Sequence, residues 1–351
     1  MSHYIFEDIS TYKQRWKKKL NAMNNDNSNN ELFCIYIANP FCINKCKFCI
    51  YGSTKVDESP ANYKKYYDDF LVKNITDFED VLQIRTPDTV YFGGGTASLI
   101  PLNAMDKIFN AIPNFKQITH KYIEIHPAHF SLEKLNKLID YGFTYLSFGI
   151  QTIDINILSE YNRKVFNTER LLKYIDEAKK HNIIVSCDLM AFLHDDLEKD
   201  TEAFKKSLSW VLEILQPSVV VVYPYYKKIF KIPFDEQEKE HNYLFGYSLR
   251  KNILEILKSN PQYKYCPKHL LSLNRDDILA HSKYDYFLFN MEEEEFFKIK
   301  KYFCSSPPNV PLNQNVLSFG GFQQQKPYSY ISNDRCWFNI NNNWKIEYQW
   351  A

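Results

Sequence analysis

The chain has 351 residues, and 45% of them are hydrophobic, which is enough for a large domain with a buried core. Its 43 Lys and Arg residues balance 42 Asp and Glu residues, so we expect no nucleic-acid partner. No apolar run approaches the length of a membrane-spanning helix, so we expect no membrane partner either.

The predicted elements fall into three regions. Residues 1–30 predict an N-terminal helix, basic over 11–20, and the polar linker NNDNSNN. Residues 31–235 alternate apolar runs of strand length with amphipathic runs of helix length. Residues 236–351 lose this rhythm and predict a smaller mixed domain. The six apolar runs are LFCIYIA, DTVYFGGG, KYIEIHP, TYLSFGIQ, IIVSCDLMAF and PSVVVVYPY.

Helix signals separate these strands. Ser59 and Pro60 are typical of a helix start, and the helix after the first strand is predicted to follow them. Ser131 and Gly142 predict the start and end of the helix after the third strand. Six βα units in a row indicate an α/β fold whose parallel sheet is either doubly wound or barrel-like. In both architectures functional residues collect at the C-terminal ends of the strands.

Three cysteines lie together directly after the first predicted strand. In PFCINKCKFC, Cys42, Cys46 and Cys49 follow the spacing Cys-x3-Cys-x2-Cys. A structural zinc site normally takes four protein ligands, and the next cysteine is Cys187. Three ordinary buried thiols are the other alternative. Three thiolates without a fourth favour a [4Fe–4S] cluster that leaves one iron open to an outside ligand.

The compartment bears on the eight cysteines of the chain. The first ten residues, MSHYIFEDIS, contain acids and no apolar core of a secretion signal, so we expect a cytoplasmic protein. In that compartment the cysteines are thiols or metal ligands rather than disulfides.

Further candidate residues end the later strands. GGGTAS at 93–98 predicts either a tight turn or a backbone that approaches a ligand closely. Glu124 and Gln151 end the third and fourth strands, and Arg163 follows in YNRK. Each has the alternative of a solvated surface position. Asp188 lies inside an apolar run, where a lone charge is unfavourable, so a partner is expected.

The order of these motifs resembles the radical S-adenosylmethionine (SAM) enzymes, in particular the branch of oxygen-independent coproporphyrinogen III oxidase. The resemblance rests on NPFC, GGGT, EIHP, SFGIQ, NR and DLM and covers roughly residues 33–230. It implies a partial (β/α)6 TIM-like barrel in which the three cysteines bind a [4Fe–4S] cluster and SAM occupies the open iron. The residues that it implies around SAM are Tyr36, Phe48, Gly94, Gly95, Thr96, Glu124, Gln151, Arg163 and Asp188.

The resemblance also implies a reaction. Reductive cleavage of SAM gives a 5′-deoxyadenosyl radical that abstracts hydrogen from a small-molecule biosynthetic substrate, with or without transfer of a methyl or other group. An electron donor such as flavodoxin or ferredoxin is then the protein partner. The pair Ala38-Asn39 replaces the usual His-Ile of that branch, so the substrate stays open. The opposing hypothesis is a haem- or cluster-handling binding protein that keeps the site and catalyses little.

Two tyrosines near the end of the sixth strand are the candidates for substrate chemistry. Tyr223 and Tyr225 in VVVVYPYYKK are predicted to contact the substrate as catalytic residues. Their alternative is to close the barrel against the C-terminal region.

Overall fold

The computed structural model describes most of the first 225 residues and shorter stretches of the remainder. The described residues are 4–7, 9–25, 31–49, 53–57, 63, 65–191, 193–194, 196–225, 249–265, 286–292, 294–296, 314–320, 335–339 and 345–349. The predicted helix start at Ser59 and Pro60 lies outside them.

The strands form one large sheet and two small ones. In chain order they are β1 (Tyr4–Glu7), β2 (Leu32–Asn39), β3 (Phe41–Cys42), β4 (Thr54–Lys55), β5 (Thr89–Gly94), β6 (His120–Ile125), β7 (Tyr145–Gln151), β8 (Ile184–Ala191), β9 (Val219–Pro224), β10 (Lys264–Tyr265), β11 (Tyr286–Phe289), β12 (Gln314–Phe319), β13 (Arg335–Asn339) and β14 (Lys345–Gln349). The large sheet has the order β10-β11-β9-β8-β7-β6-β5-β2-β12.

Helices follow the strands of the large sheet. The α-helices with printed bounds are α1 (Ile9–Asn25), α2 (Lys73–Asp77), α3 (Glu79–Leu82), α4 (Leu102–Ala111), α5 (Leu132–Asp140), α6 (Ile155–Glu160), α7 (Thr168–Lys180) and α8 (Leu197–Trp210). Two π-helical segments, Tyr66–Val72 and Val211–Leu215, adjoin α2 and α8. The Ser131 hydroxyl accepts from the Lys134 N–H at the start of α5, and Gly142 (φ +73°) follows its end, as predicted.

Six neighbouring parallel strands confirm the predicted fold class. Strands β2, β5, β6, β7, β8 and β9 pair in sequence order, and each pair is parallel. The two outermost strands of the sheet, β10 and β12, do not pair with each other, so the sheet is an open, partial barrel. Parallel strands joined through helices place all their C-terminal ends on one side, where the candidate residues lie.

Alternation along each strand divides the core into two regions. On β2, Phe33, Ile35 and Ile37 face outward and are fully buried in the layer shared with the helices. Cys34 and Tyr36, between them, belong to the cluster on the concave side. Successive side chains of a strand point to opposite faces, so each barrel strand contributes to both regions.

A row of tyrosines lines the concave side across four adjacent strands. Tyr36, Tyr91, Tyr122 and Tyr145 stand opposite one another in register. Their neighbouring ring centroids are 5.6, 6.0 and 4.9 Å apart. The row fills the barrel interior just below the polar side chains that come next along the strands, and so forms the floor of the candidate site.

The C-terminal region extends the barrel sheet. Strand β12 pairs in parallel with β2, and β11 pairs antiparallel with β9. At the other end of the chain, β1 pairs antiparallel with β14. The predicted boundaries at residues 30 and 235 stay predictions, since these pairings do not delimit domains. Among the described residues, no helix has both the length and the apolarity of a membrane span.

A glycine after β12 gives a test of the way this strand docks. Gly320 has φ +85°, and a methyl group there would clash with the Ala38 carbonyl and lie 2.5 Å from the Tyr66 hydroxyl. We expect Gly320→Ala to lower the free energy of unfolding by about 2–4 kcal/mol, because backbone strain and overlap add.

The matched control is Gly142→Ala. Its φ is also positive, but the nearest atom to an added methyl is the Lys121 Nζ at 3.5 Å. We expect a loss of only about 1 kcal/mol, since strain acts alone. Urea unfolding of both variants measures the difference, and equal losses would show that β12 does not dock against β2 as described.

Candidate active site

The cysteine loop leaves the C-terminal end of β2. Cys42 lies on the short strand β3, which pairs with β4 and so fixes the start of the loop. Cys42 and Cys46 are each only 9% exposed, while Cys49 is more accessible. The Cys49 N–H donates to the Cys46 carbonyl at 3.1 Å, forming a turn that brings these two cysteines to the same loop end.

A second loop, between α6 and α7, holds the cysteine loop from the side. The Lys47 N–H donates to the Tyr161 carbonyl at 3.0 Å, and the Asn162 amide donates to the Lys45 carbonyl at 3.1 Å. Phe48 packs with Tyr161 at a centroid separation of 5.8 Å. These contacts attach the middle of the cysteine loop to the end of α6.

The glycine turn after β5 lies directly against the cysteine loop. A methyl group on Gly94, whose φ is +103°, would lie 2.6 Å from the Asn39 carbonyl. One on Gly95 would lie 2.7 Å from the Phe41 carbonyl and 3.0 Å from the Cys42 Sγ. Glycine is therefore required by close approach of backbone as well as by conformation. The Thr96 hydroxyl donates to the Cys42 Sγ at 3.3 Å.

Asn39 joins the two loops from below. Its side chain is fully buried, and its amide donates to the carbonyls of Phe41 at 2.9 Å and Thr96 at 2.7 Å. Its Oδ1 accepts from the Tyr67 hydroxyl at 2.7 Å, and its backbone carbonyl accepts from the Gly95 N–H at 2.6 Å. Every polar atom of this buried side chain has a partner, as burial of an amide requires.

Arg163 approaches the site from the loop after α6. It is 9% exposed, donates to the Gly149 carbonyl and lies 3.7 Å from the Cys46 Sγ through Nη1. Its guanidinium carbon lies 5.9 Å from the centre of the Phe48 ring. Within the described residues, its Nε is buried and has no hydrogen-bond partner. This cation faces the cysteine loop with donor capacity to spare.

Two carboxyl groups project from β6 and β8 above the tyrosine row. Glu124 accepts from the Tyr91 hydroxyl at 2.7 Å, and Asp188 accepts from the Ser147 hydroxyl at 2.9 Å. Burial raises the pKa of each to about 7, and the charge of Glu124 also raises the pKa of Asp188. The Asp188 Oδ1 is buried and has no hydrogen-bond partner among the described residues.

Gln151 and His126 complete the rim. Gln151 has φ +69°, at an irregularity that begins after Gly149, and its Nε2 would lie 3.0 Å from a methyl group on Gly149. The His126 Nδ1 accepts from the Ala128 N–H at 3.2 Å. Burial, with the charge of Arg163 next in importance, lowers the pKa of His126 to about 2, so its imidazole is neutral.

The two predicted catalytic tyrosines lie in different surroundings. Tyr223 packs on the concave side with the cluster that contains Tyr91 and Tyr145. Tyr225 packs edge-on against Tyr161 at 5.7 Å, beside the ring of Phe48. Only Tyr225 therefore adjoins the cysteine loop. Their catalytic role stays a prediction.

The structure brings most of the predicted residues to one end of the barrel. The cysteines, the glycine turn and Arg163 meet through the contacts above, and the two carboxyl groups lie next to Arg163 electrostatically. Sequence reasoning missed Asn39, Tyr67, Tyr91 and Ser147, which hold these groups. A polar residue ending an apolar strand was the only signal for Asn39. Tyr67 was assigned to a helix face with no role in the site.

The donor set fits both groups that the resemblance implied. Within the described residues, no three His, Cys, Asp or Glu side chains converge closely enough to hold a single metal ion. A four-iron cluster instead distributes its thiolates over separate irons. The glycine turn offers backbone to a ligand without side chains in the way, and the unpartnered Oδ1 of Asp188 offers an acceptor for a hydroxyl or ammonium group.

Comparison with known proteins agrees with this geometry. Residues 36–208 match the family described as the Radical SAM superfamily. The chain is 31% identical over 214 residues to the oxygen-independent coproporphyrinogen III oxidase of Helicobacter pylori, covering 58% of this chain and 44% of that protein. It is 26% identical over 210 residues to the heme chaperone HemW of Buchnera aphidicola, covering 57% of this chain and 54% of the chaperone. The chain thus spans about half the length of these curated relatives.

A solved structure shares the fold. The coproporphyrinogen III oxidase HemN of Escherichia coli, described as a radical SAM enzyme, superposes with a TM-score of 0.66 at 16% identity. The alignment covers 97% of this chain and 76% of that one. At this level of identity the likeness shows the fold alone. Proteins of the matched superfamily use a [4Fe–4S] cluster and SAM.

Loss of the Asn39 bridge is predicted to free the cysteine loop in the metal-free protein. Tyr67→Phe removes the donor to Asn39, and Asn39→Asp sets a carboxyl oxygen against the two carbonyls that the amide now reaches. We expect Cys42 to be alkylated by iodoacetamide roughly tenfold faster in both variants, because one lost buried hydrogen bond lowers a local opening energy by about 1 kcal/mol or more.

Tyr66→Phe is the matched control for that measurement. Tyr66 lies on the same helical turn, and its hydroxyl also donates to the end of β2, but to the Ala38 carbonyl at 3.0 Å. We expect a similar loss of global stability with little change in Cys42 alkylation. Equal acceleration in both tyrosine variants would mean that Asn39 has no special hold on the loop.

The buried carboxyl groups predict a distinctive pH dependence. An acid whose pKa is raised by folding binds more protons in the native state, so its contribution to stability is lost as pH rises from about 4 to about 7. Glu124→Gln with Asp188→Asn removes this contribution. We expect the stability of wild type relative to the double variant to fall by roughly 3 kcal/mol or more across that window.

The difference between the two proteins is the quantity to measure, by urea unfolding at a series of pH values. Neutral buried His126 destabilises the fold as pH falls below its ordinary pKa, but it is present in both proteins and cancels. A difference that does not change with pH would show that the two carboxyl groups are ionised in the native protein.

Proposed function

We propose, from the premise that the chain belongs to the radical SAM superfamily, that it is a radical SAM enzyme acting on a small-molecule biosynthetic substrate. Its cofactors are a [4Fe–4S] cluster and SAM. Together they supply reductive cleavage of SAM to a 5′-deoxyadenosyl radical, which abstracts hydrogen from the substrate, with or without transfer of a methyl or other group.

The observation that carries the proposal is the junction of the cysteine loop and the glycine turn. The three thiols Cys42, Cys46 and Cys49 are the cluster ligands, and one iron is left for SAM. The Thr96 hydroxyl on the Cys42 Sγ and the backbone contacts of Gly95 make the turn the immediate neighbour of that cluster. A ligand held by Gly94, Gly95 and Thr96 therefore lies at the open iron.

The other residues have distinct roles in holding SAM. Glu124 and Asp188 offer acceptors from a buried site, which suits the amino group and the ribose hydroxyls of a ligand that also carries a sulfonium cation. Arg163 has an unpartnered buried donor for the carboxylate of SAM. Gln151, Tyr36 and Phe48 complete the enclosure, with Phe48 stacking near the adenine.

The tyrosine floor limits where a substrate can enter. Tyr91, Tyr122 and Tyr145 are at most 6% exposed, so they close the barrel beneath the carboxyl groups. A substrate then approaches from the C-terminal ends of the strands, where Tyr225 borders the cysteine loop. Exclusion of water by this closed floor protects reactive chemistry from side reactions.

The second candidate is a haem-handling protein with little catalysis. Relatives named as the heme chaperone HemW occur alongside the coproporphyrinogen III oxidases, at 23–28% identity. Such a protein retains the same cysteine loop, so the sequence motif does not separate the two functions.

Anaerobic reconstitution separates them. The full chain is loaded with iron and sulfide, then incubated with SAM and a strong one-electron reductant. Release of 5′-deoxyadenosine, measured by chromatography, supports the enzyme. A cluster that leaves SAM uncleaved, together with tight binding of added haem, supports the chaperone and contradicts the enzyme proposal.

The cluster ligands give a separate prediction. Cys46→Ala is expected to abolish the visible absorbance of the reconstituted cluster and to lower bound iron well below four per chain, because a three-ligand site has no spare thiolate. Cys34→Ala is the matched control. It also removes a buried thiol from β2, but one on the concave side of the barrel, so iron content is expected to stay unchanged.

Elemental analysis completes that test. Equal iron in Cys46→Ala and wild type would refute the ligand assignment. Zinc without iron in the wild-type protein would refute the cluster itself.

A further inference from the structure

The two joined loops of the site also present an outer face. The cysteine loop and the α6–α7 loop are tied by three hydrogen bonds: Lys47 N–H to the Tyr161 carbonyl, and the Asn162 amide to the Lys45 carbonyl and from the Asn44 amide. Because these bonds lie between the loops, the outward side chains of both form one surface. Lys45, Lys47 and Lys164 are all exposed on it.

The charge of this surface is one-sided. Across residues 42–49 and 160–165, the exposed charged side chains are Lys45, Lys47 and Lys164 against one acid, Glu160. Arg163 adds a further positive charge just beneath. The chain as a whole carries a formal net charge of +1, so this concentration of lysines is local rather than general. A local patch of one sign attracts and orients a partner of the opposite sign.

Two aliphatic side chains lie on the same loops. Ile43 is 38% exposed and Val165 is 46% exposed. We call the set Ile43, Lys45, Lys47, Lys164 and Val165 the lysine patch. Exposed apolar side chains beside charges are typical of contact surfaces, where the charges orient the partner and the apolar groups are buried by it.

The patch lies as close to the metal-binding cysteines as a surface can. Lys45 and Lys47 flank Cys46 in sequence, and Cys46 itself is 9% exposed. A protein seated on the patch is separated from the thiol ligands by the thickness of the loop alone. On the opposite side, the tyrosine row closes the barrel interior.

We propose that the lysine patch docks an acidic one-electron carrier protein that reduces the cluster. The proposal rests on the proposed function, since a cluster that is not reduced needs no donor. It adds to that function the surface and the charge by which the donor is recognised. Electron-transfer encounters are small and transient, so a patch of five side chains with steering charges is sufficient.

The experiment compares two reductants for the same cluster. Reduced flavodoxin is the acidic protein donor, and photochemically generated deazaflavin radical is a small donor without a docking surface. The variant Lys45→Glu/Lys47→Glu/Lys164→Glu is reconstituted with its cluster, and the rate of cluster reduction is followed by stopped-flow absorbance. We expect the rate with flavodoxin to fall at least tenfold, and the rate with deazaflavin to stay within about twofold of wild type.

The matched control reverses the same amount of charge elsewhere. Lys173, Lys206 and Lys258 are exposed on helical segments outside the two loops, so Lys173→Glu/Lys206→Glu/Lys258→Glu has the same net charge as the patch variant. We expect it to be reduced by flavodoxin within about twofold of wild type. Raising the salt concentration is expected to slow flavodoxin reduction of wild type and of this control, with a much smaller effect on the patch variant.

The outcomes separate the docking site from the function. If the two triple variants lose the same rate with flavodoxin, net charge alone acts and the patch is not the docking site. If flavodoxin reduces the patch variant as fast as wild type, the inference is wrong while the enzyme proposal stands. A wild-type protein that takes up no cluster overturns both.

Discussion

One buried amide determines how the two halves of the candidate site meet. Asn39 ends the first barrel strand and donates to one carbonyl in the cysteine loop and one in the glycine turn. Backbone segments without regular pairing need such partners when they are buried. The Tyr67 hydroxyl completes the amide, so a helix outside the sheet fixes a contact inside the site. The distance between the metal-binding thiols and the glycine turn therefore depends on this single side chain.

The barrel interior is layered by polarity, and the layering follows from strand alternation. A row of tyrosines fills the middle of the interior, and the next concave positions along the strands carry Glu124, Ser147 and Asp188. The tyrosine row is large and apolar enough to exclude water, yet its hydroxyls serve the carboxyl above, as Tyr91 does for Glu124. Burial on this floor raises the pKa of both carboxyl groups and so suits the site to a cationic ligand.

Much of the fold was predictable because its signals are local. Each of the six strands appears within a few residues of its apolar run, and Ser131 and Gly142 bound α5 as their conformational preferences indicate. The attachment of β11 and β12 to the two sides of the six-stranded core was not predictable. Their short segments carry no pattern that names a partner strand, and pairing between distant segments depends on the folded arrangement.

The sequence alone determined the metal-binding cysteines, the glycine turn and the class of fold, because spacing within ten residues and periodicity are written directly in the chain. Tertiary structure decided which residues hold them in place. Tyr67 lies 28 positions from Asn39, and Arg163 lies 117 positions from Cys46. Tyr223 and Tyr225, two residues apart, belong to different clusters. Such contacts arise only when the strands curve into a barrel and bring distant loops to the same end, which no local pattern specifies.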